Sequence, residues 1–101
     1  MRLKDKVAII TGGANGIGEG VAIKFAQEGA KVVIGDLKED EVKKAEQKIK
    51  DMGGTVLGVV CNVADKASVD AMVQKAVETF GTVDILVKDS EMFTSKGGFL
   101  I

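Results

Sequence analysis

Val7-Ala8-Ile9-Ile10-Thr11-Gly12-Gly13-Ala14-Asn15-Gly16-Ile17-Gly18 is the stretch that decides the fold. It joins a short apolar run to an amphipathic one across a glycine-rich turn. Val7 to Ile10 is uncharged and largely β-branched, the composition of a strand buried on both faces. Beyond the turn, Ile17, Val21, Ala22, Phe25 and Ala26 recur at helical spacing, which predicts a helix with one apolar stripe. Such a turn between a buried strand and a helix N-terminus is a phosphate site. Its N–H groups point outward, the helix dipole favours an anion, and glycines let a pyrophosphate reach the backbone. The stretch therefore points to a nucleotide-binding fold.

The rest of the chain alternates in the same way, without a linker or low-complexity tract. Gly29 stands at an expected helix C-cap, and Lys31-Val32-Val33-Ile34-Gly35-Asp36 reads as a second strand. Val42, Ala45, Ile49 and Met52 mark a second helix, ended by Gly53-Gly54. Thr55-Val56-Leu57-Gly58-Val59-Val60 reads as a third strand. Asp65 is placed to cap a third helix, with Val69, Met72, Val73, Ala76, Val77 and Phe80 as its buried stripe. Gly81 closes that helix, and Val83-Asp84-Ile85-Leu86-Val87 is the fourth strand. The order βαβαβαβ implies an α/β domain with a parallel sheet and right-handed crossovers. From Lys88 onward the periodicity fades, so residues 1–87 form the expected domain and 88–101 a divergent, solvated C-terminal tail.

Composition narrows the function classes. The 101 residues carry a net charge of −1, without the basic excess that nucleic acid or a membrane surface requires. No apolar run reaches spanning length, and the first six residues lack the apolar region of a signal peptide, so a cytoplasmic location is the expectation. One cysteine, Cys61, closes an apolar run and reads as a core residue. With no histidine in the chain, no metal site is expected. Tyrosine is absent as well, which removes both of the common proton carriers of neutral-pH catalysis.

The turn reads Thr-Gly-x-x-x-Gly-x-Gly, and Asp36 ends the strand that follows its helix. A carboxylate there accepts hydrogen bonds from the ribose hydroxyls of an adenosine and repels a 2′-phosphate. Neither Asn15 nor Leu37 brings a compensating cation, although Lys38 is close by, so NAD is expected over NADP. The plainer alternative for Asp36 is a solvated carboxylate at a strand end.

Together with Asn62-Val63 after the third strand and Val83-Asp84-Ile85-Leu86-Val87, these residues resemble the short-chain dehydrogenase/reductase family from Lys6 to Val87. The resemblance implies a Rossmann-like, doubly wound sheet, here truncated to four strands in the order 3-2-1-4. It implies NAD(H) binding by Gly12, Asn15, Gly16, Ile17 and Gly18 at the pyrophosphate, Asp36 and Leu37 at the ribose, and Asn62 and Val63 at the adenine. The family usually has Asp where this chain has Asn62, whose other reading is a loop-capping amide.

Two departures follow. After its fourth strand the family carries Asn-Asn-Ala-Gly, whereas this chain has Lys88-Asp89-Ser90-Glu91. A glutamate at a glycine position that needs positive φ would strain the backbone. Asp89 and Glu91 would also disfavour an anion that Lys88 attracts. The family's catalytic serine, tyrosine and lysine have no counterpart either: Ser90, Ser95 and Lys96 lack the required spacing and no tyrosine is present. The resemblance thus implies a dinucleotide-binding portion of an oxidoreductase, inactive alone and without catalytic residues. The alternative is a regulatory module pairing with a complete subunit. Truncation would leave the fourth strand as an open edge and one sheet face covered by a single helix. This predicts marginal stability, or self-association through the uncovered face, or self-association or pairing through residues 83–87.

Overall fold

All five residues of strand β1, Val7–Thr11, are buried. The computed structural model, which describes residues 3–14, 16–88 and 91–94, shows why. On one side β1 pairs in parallel with β2 (Lys31–Asp36), which pairs in parallel with β3 (Thr55–Val60). On the other side it pairs in parallel with β4 (Ile85–Lys88), Ala8 lying opposite Ile85 and Ile10 opposite Val87. The parallel order 3-2-1-4 is the expected one.

The helices α1 (Gly16–Gln27), α2 (Glu39–Asp51) and α3 (Lys66–Phe80) form the crossovers. Strand side chains alternate between faces, and the alternation sorts the core into two layers. Ala8, Ile10, Val32, Ile34, Ile85 and Val87 pack with Ala22 of α1 and with Val42, Ala45 and Ile49 of α2. Ile9 and Val33 face the other way, against Met72 and Ala76 of α3 and against Cys61, which is buried as expected. Capping also follows the sequence. The Asp65 carboxylate accepts from the Ala67 N–H at 3.1 Å, and Gly81 ends α3 in the left-handed region at φ 89°. None of the helices among the described residues is long and apolar enough to cross a membrane.

Three apolar residues expected in the stripes are exposed. Met52 falls on the C-cap of α2, past its last packed turn. Val77 lies on a flank of α3, the helix whose stripe faces the second core layer, where no neighbouring helix among the described residues reaches it. Ile17 is 75% exposed at the start of α1, above the sheet rather than on it.

The fourth strand begins two residues later than expected. Asp84 instead makes a reciprocal link: its Oδ2 accepts from the Val7 N–H at 2.9 Å, and its own N–H donates to the Val7 carbonyl at 2.9 Å. A further strand, β5 (Glu91–Thr94), lies in the segment expected to be without structure and runs antiparallel beside β4, with Lys88 opposite Glu91. Pairing satisfies the outward backbone groups of β4, a gain that leaves no trace in apolar periodicity. Strand 83–87 is therefore not the open edge expected for association; among the described residues the edges are β3 and β5. Residues 89, 90 and 95–101 of the expected tail lie outside the described residues.

The Asp84 link predicts that Asp84→Ala, which strands the part-buried Val7 N–H, destabilises the fold by about 1–3 kcal/mol. Urea unfolding of the variant beside the parent measures it.

Candidate functional site

The C-terminal ends of β1, β2 and β4 meet at the glycine turn. Thr11, the one hydroxyl in an otherwise apolar strand, donates from Oγ1 to the Val87 carbonyl at 3.1 Å. Gly12 then donates its N–H to the Gly35 carbonyl at 2.7 Å and takes φ 68°, turning the chain out of the sheet. The turn folds back so closely that a Cβ on Gly18 would collide with the Gly12 carbonyl oxygen. Around Gly12 and Gly16, by contrast, an added Cβ would meet nothing within 4 Å. The first turn of α1 therefore abuts open space, and its leading N–H groups have no partner within the helix. This fits a pyrophosphate: side-chain-free backbone, room in front of it, and donors at a positive dipole end.

Charge around the turn is arranged compatibly. Glu19, in the first turn of α1, would repel an anion, but its carboxylate is paired with Lys48 of α2 at 3.1 Å. Asp36 stands directly against the turn. Its Oδ2 accepts from the Ala14 N–H at 3.3 Å and its Oδ1 from the Leu37 N–H at 2.8 Å. The reading of Asp36 as a merely solvated strand-end carboxylate does not describe this arrangement.

A cleft of about 150 Å³ opens here, lined by Thr11, Gly12, Ile17, Gly18, Val21, Val63 and Val87. Sites that enclose a drug-sized ligand measure roughly 300–1,000 Å³, so the cleft is small beside them. Of the residues expected from sequence, Gly12, Ile17, Gly18 and Val63 line the cleft. Gly16 begins the helix beside it, and Asp36 joins it through the turn. Leu37 follows Asp36 and is 60% exposed. Asn15 lies outside the described residues. Asn62 organises its own loop: Oδ1 accepts from the Ala64 N–H at 3.0 Å, and its N–H donates to the Ser68 hydroxyl at 3.0 Å. That is the loop-capping alternative, and it holds Val63 at the cleft.

Sequence reasoning does not place Thr11, Val21 and Val87 in the lining: Val21 and Val87 read as core, and Thr11 reads as the first residue of the turn motif. The hydroxyl of Thr11 within an apolar strand was the available signal; a valine gives none. Glu91 does not occupy a position that needs positive φ. It opens β5 in extended backbone, so the strain expected there does not arise. Lys88 ends β4 next to Val87 and is exposed. Asp89, Ser90, Ser95 and Lys96 lie outside the described residues.

Known proteins share this arrangement. A family profile described as short chain dehydrogenase matches residues 6–96. The (2S)-[(R)-hydroxy(phenyl)methyl]succinyl-CoA dehydrogenase subunit of Thauera aromatica is 40% identical over 92 residues, covering 91% of this chain and 37% of that protein. A 2,5-dichloro-2,5-cyclohexadiene-1,4-diol dehydrogenase of Sphingobium indicum is 45% identical over 98 residues, covering 97% of this chain and 39% of the relative. Among solved structures, a 7α-hydroxysteroid dehydrogenase complexed with NADH and 7-oxo glycochenodeoxycholic acid superposes with a TM-score of 0.84 at 38% identity, over 86% of this chain and 34% of that one. The chain thus spans little more than a third of the length of the proteins it resembles. With the glycine turn, the sheet order and the profile match in agreement, this chain belongs to the short chain dehydrogenase family of oxidoreductases, as an amino-terminal portion of that fold.

Proposed function

We propose that this chain is the NAD(H)-binding portion of a short-chain oxidoreductase and that its own residues do not complete the reaction. The observation that carries the reading is the Asp36 carboxylate held against the glycine turn by the Ala14 and Leu37 N–H groups. Two fixed donors orient both carboxylate oxygens, whose remaining lone pairs are the acceptors that ribose hydroxyls need. The same charge repels a 2′-phosphate, which favours NAD over NADP.

In this reading the N–H groups at the start of α1 hold the pyrophosphate, with Gly12, Asn15, Gly16, Ile17 and Gly18 around it. Ile17, Leu37 and Val63 offer exposed apolar surface to the rings of the dinucleotide. Asn62, whose carbonyl oxygen is engaged by Ala64, has its NH₂ end to donate to the adenine. Bound there, a nicotinamide dinucleotide supplies or accepts hydride. The proton that accompanies hydride transfer needs a carrier, and the 101 residues contain neither tyrosine nor histidine. In this reading these residues therefore hold the cofactor and do not act on the substrate.

Calorimetric titration with NADH tests the binding half. Saturable binding between micromolar and millimolar is expected, while folded protein that stays silent to millimolar NADH overturns the reading. Alcohol-dependent NADH formation by this chain alone would overturn the non-catalytic half. Asp36→Ala is expected to weaken NADH binding about ten- to a hundredfold, the worth of hydrogen bonds to a charged group. NADPH binding should not fall in parallel, so the ratio of the two dissociation constants is the readout. Gly18→Ala should cost about 1–3 kcal/mol in stability through overpacking and lower NADH affinity at least in step, as seen by melting with and without ligand.

A further inference from the structure

Strand β3 is an outer strand of the sheet, and its sequence Thr55-Val56-Leu57-Gly58-Val59-Val60 has no charge and no proline. Uncharged, β-prone six-residue segments on an open edge are templates for pairing with another chain. The direction of the backbone groups can be followed along the strand. Cys61, just beyond β3, donates its N–H to the Asp36 carbonyl at 2.8 Å, toward β2. Since successive residues alternate, Leu57 and Val59 also face β2, while Val56, Gly58 and Val60 face the open edge. Gly58 is the middle one of the three, and its N–H is already taken. The Glu46 carboxylate, reaching over from α2, accepts it at 2.9 Å. Val42 and Glu46 lie so close above Gly58 that a Cβ there would meet both.

We infer that the outer edge of β3 is a latent pairing surface for a second copy of this chain, and that Glu46 holds it shut by occupying the Gly58 N–H. The occupant follows from the register. Antiparallel pairing about a two-fold axis at Gly58 sets Gly58 opposite its own copy, exchanging N–H and carbonyl, and sets Val56 opposite Val60. Such an arrangement is self-complementary, apolar and free of like charges. It needs the Gly58 N–H, the central one of the three, which Glu46 holds. A carboxylate bonded at the centre of the edge also places a charge that a second strand would have to desolvate.

Removing the carboxylate should therefore open the edge. In Glu46→Ala, exchange of the Gly58 amide should accelerate, and self-association seen by sedimentation velocity should move to about tenfold lower protein concentration, the equivalent of one charge-assisted hydrogen bond. Glu46→Asp keeps the charge but shortens the reach by one methylene, and it should move both readouts in the same direction by less. Adding Val60→Lys, at a position 51% exposed, to Glu46→Ala should return the mass distribution to that of the parent. Unchanged Gly58 exchange or unchanged association in both Glu46 variants overturns the inference. Association that survives Val60→Lys overturns it too, because the contact would then lie elsewhere.

Discussion

A strand enclosed on every side leaves the chain few ways out. β1 has a neighbour on each flank and a helical layer against each face, so its side chains are buried and its backbone is committed to the ladders. The chain must exit over the end of the strand and return as a helix against the same sheet. That geometry requires a tight turn, the tightness requires Gly18 to lie on the Gly12 carbonyl, and the helix so started aims its free donors at the gap. The open space before the start of α1 is thus a by-product of burying β1. Turn and core are one construction here, and a change that loosens the turn is felt in both.

Much of this was legible in the residues themselves. Val7 to Ile10 and Lys31 to Asp36 announce buried strands because parallel strands are apolar on both faces. Asp65 and Gly81 announce the limits of α3 because capping chemistry is local. The candidate site was legible as a place in the fold: Gly12, Gly18 and Asp36 answer to backbone geometry and charge, which leave marks in a single chain, and the structure brings them to one turn. Pairwise arrangements were not legible. Asp84 read as one more strand residue, since nothing in its neighbours reveals that the partner is Val7. β5 read as tail because its stability comes from pairing with β4 and not from a periodic face. Glu46 is one of several acids on α2, and only the placement of Gly58 beneath it gives that carboxylate a specific partner.

The polar contacts near the site share a division of labour. Thr11 ties β1 to β4, Gly12 ties the turn to β2, and Asp36 ties β2 back to the turn. Each spans two elements, and together they hold the ends of the three central strands in register beneath the cleft. The Lys48–Glu19 pair adds little stability on an exposed surface, but it neutralises the acid next to the glycine turn. Placement, more than strength, gives these interactions their importance.

The link between Asp84 and Val7 joins residues 77 positions apart, and this separation bears on how the protein comes into being. At roughly 5–20 residues per second of synthesis, β1 leaves the ribosome about 4–15 seconds before the residues that complete its second flank. For that interval the most apolar strand of the protein has one neighbour at best. Contacts of such long sequence separation close late in folding. A nascent β1 thus stays flanked on one side only until β4 has been made.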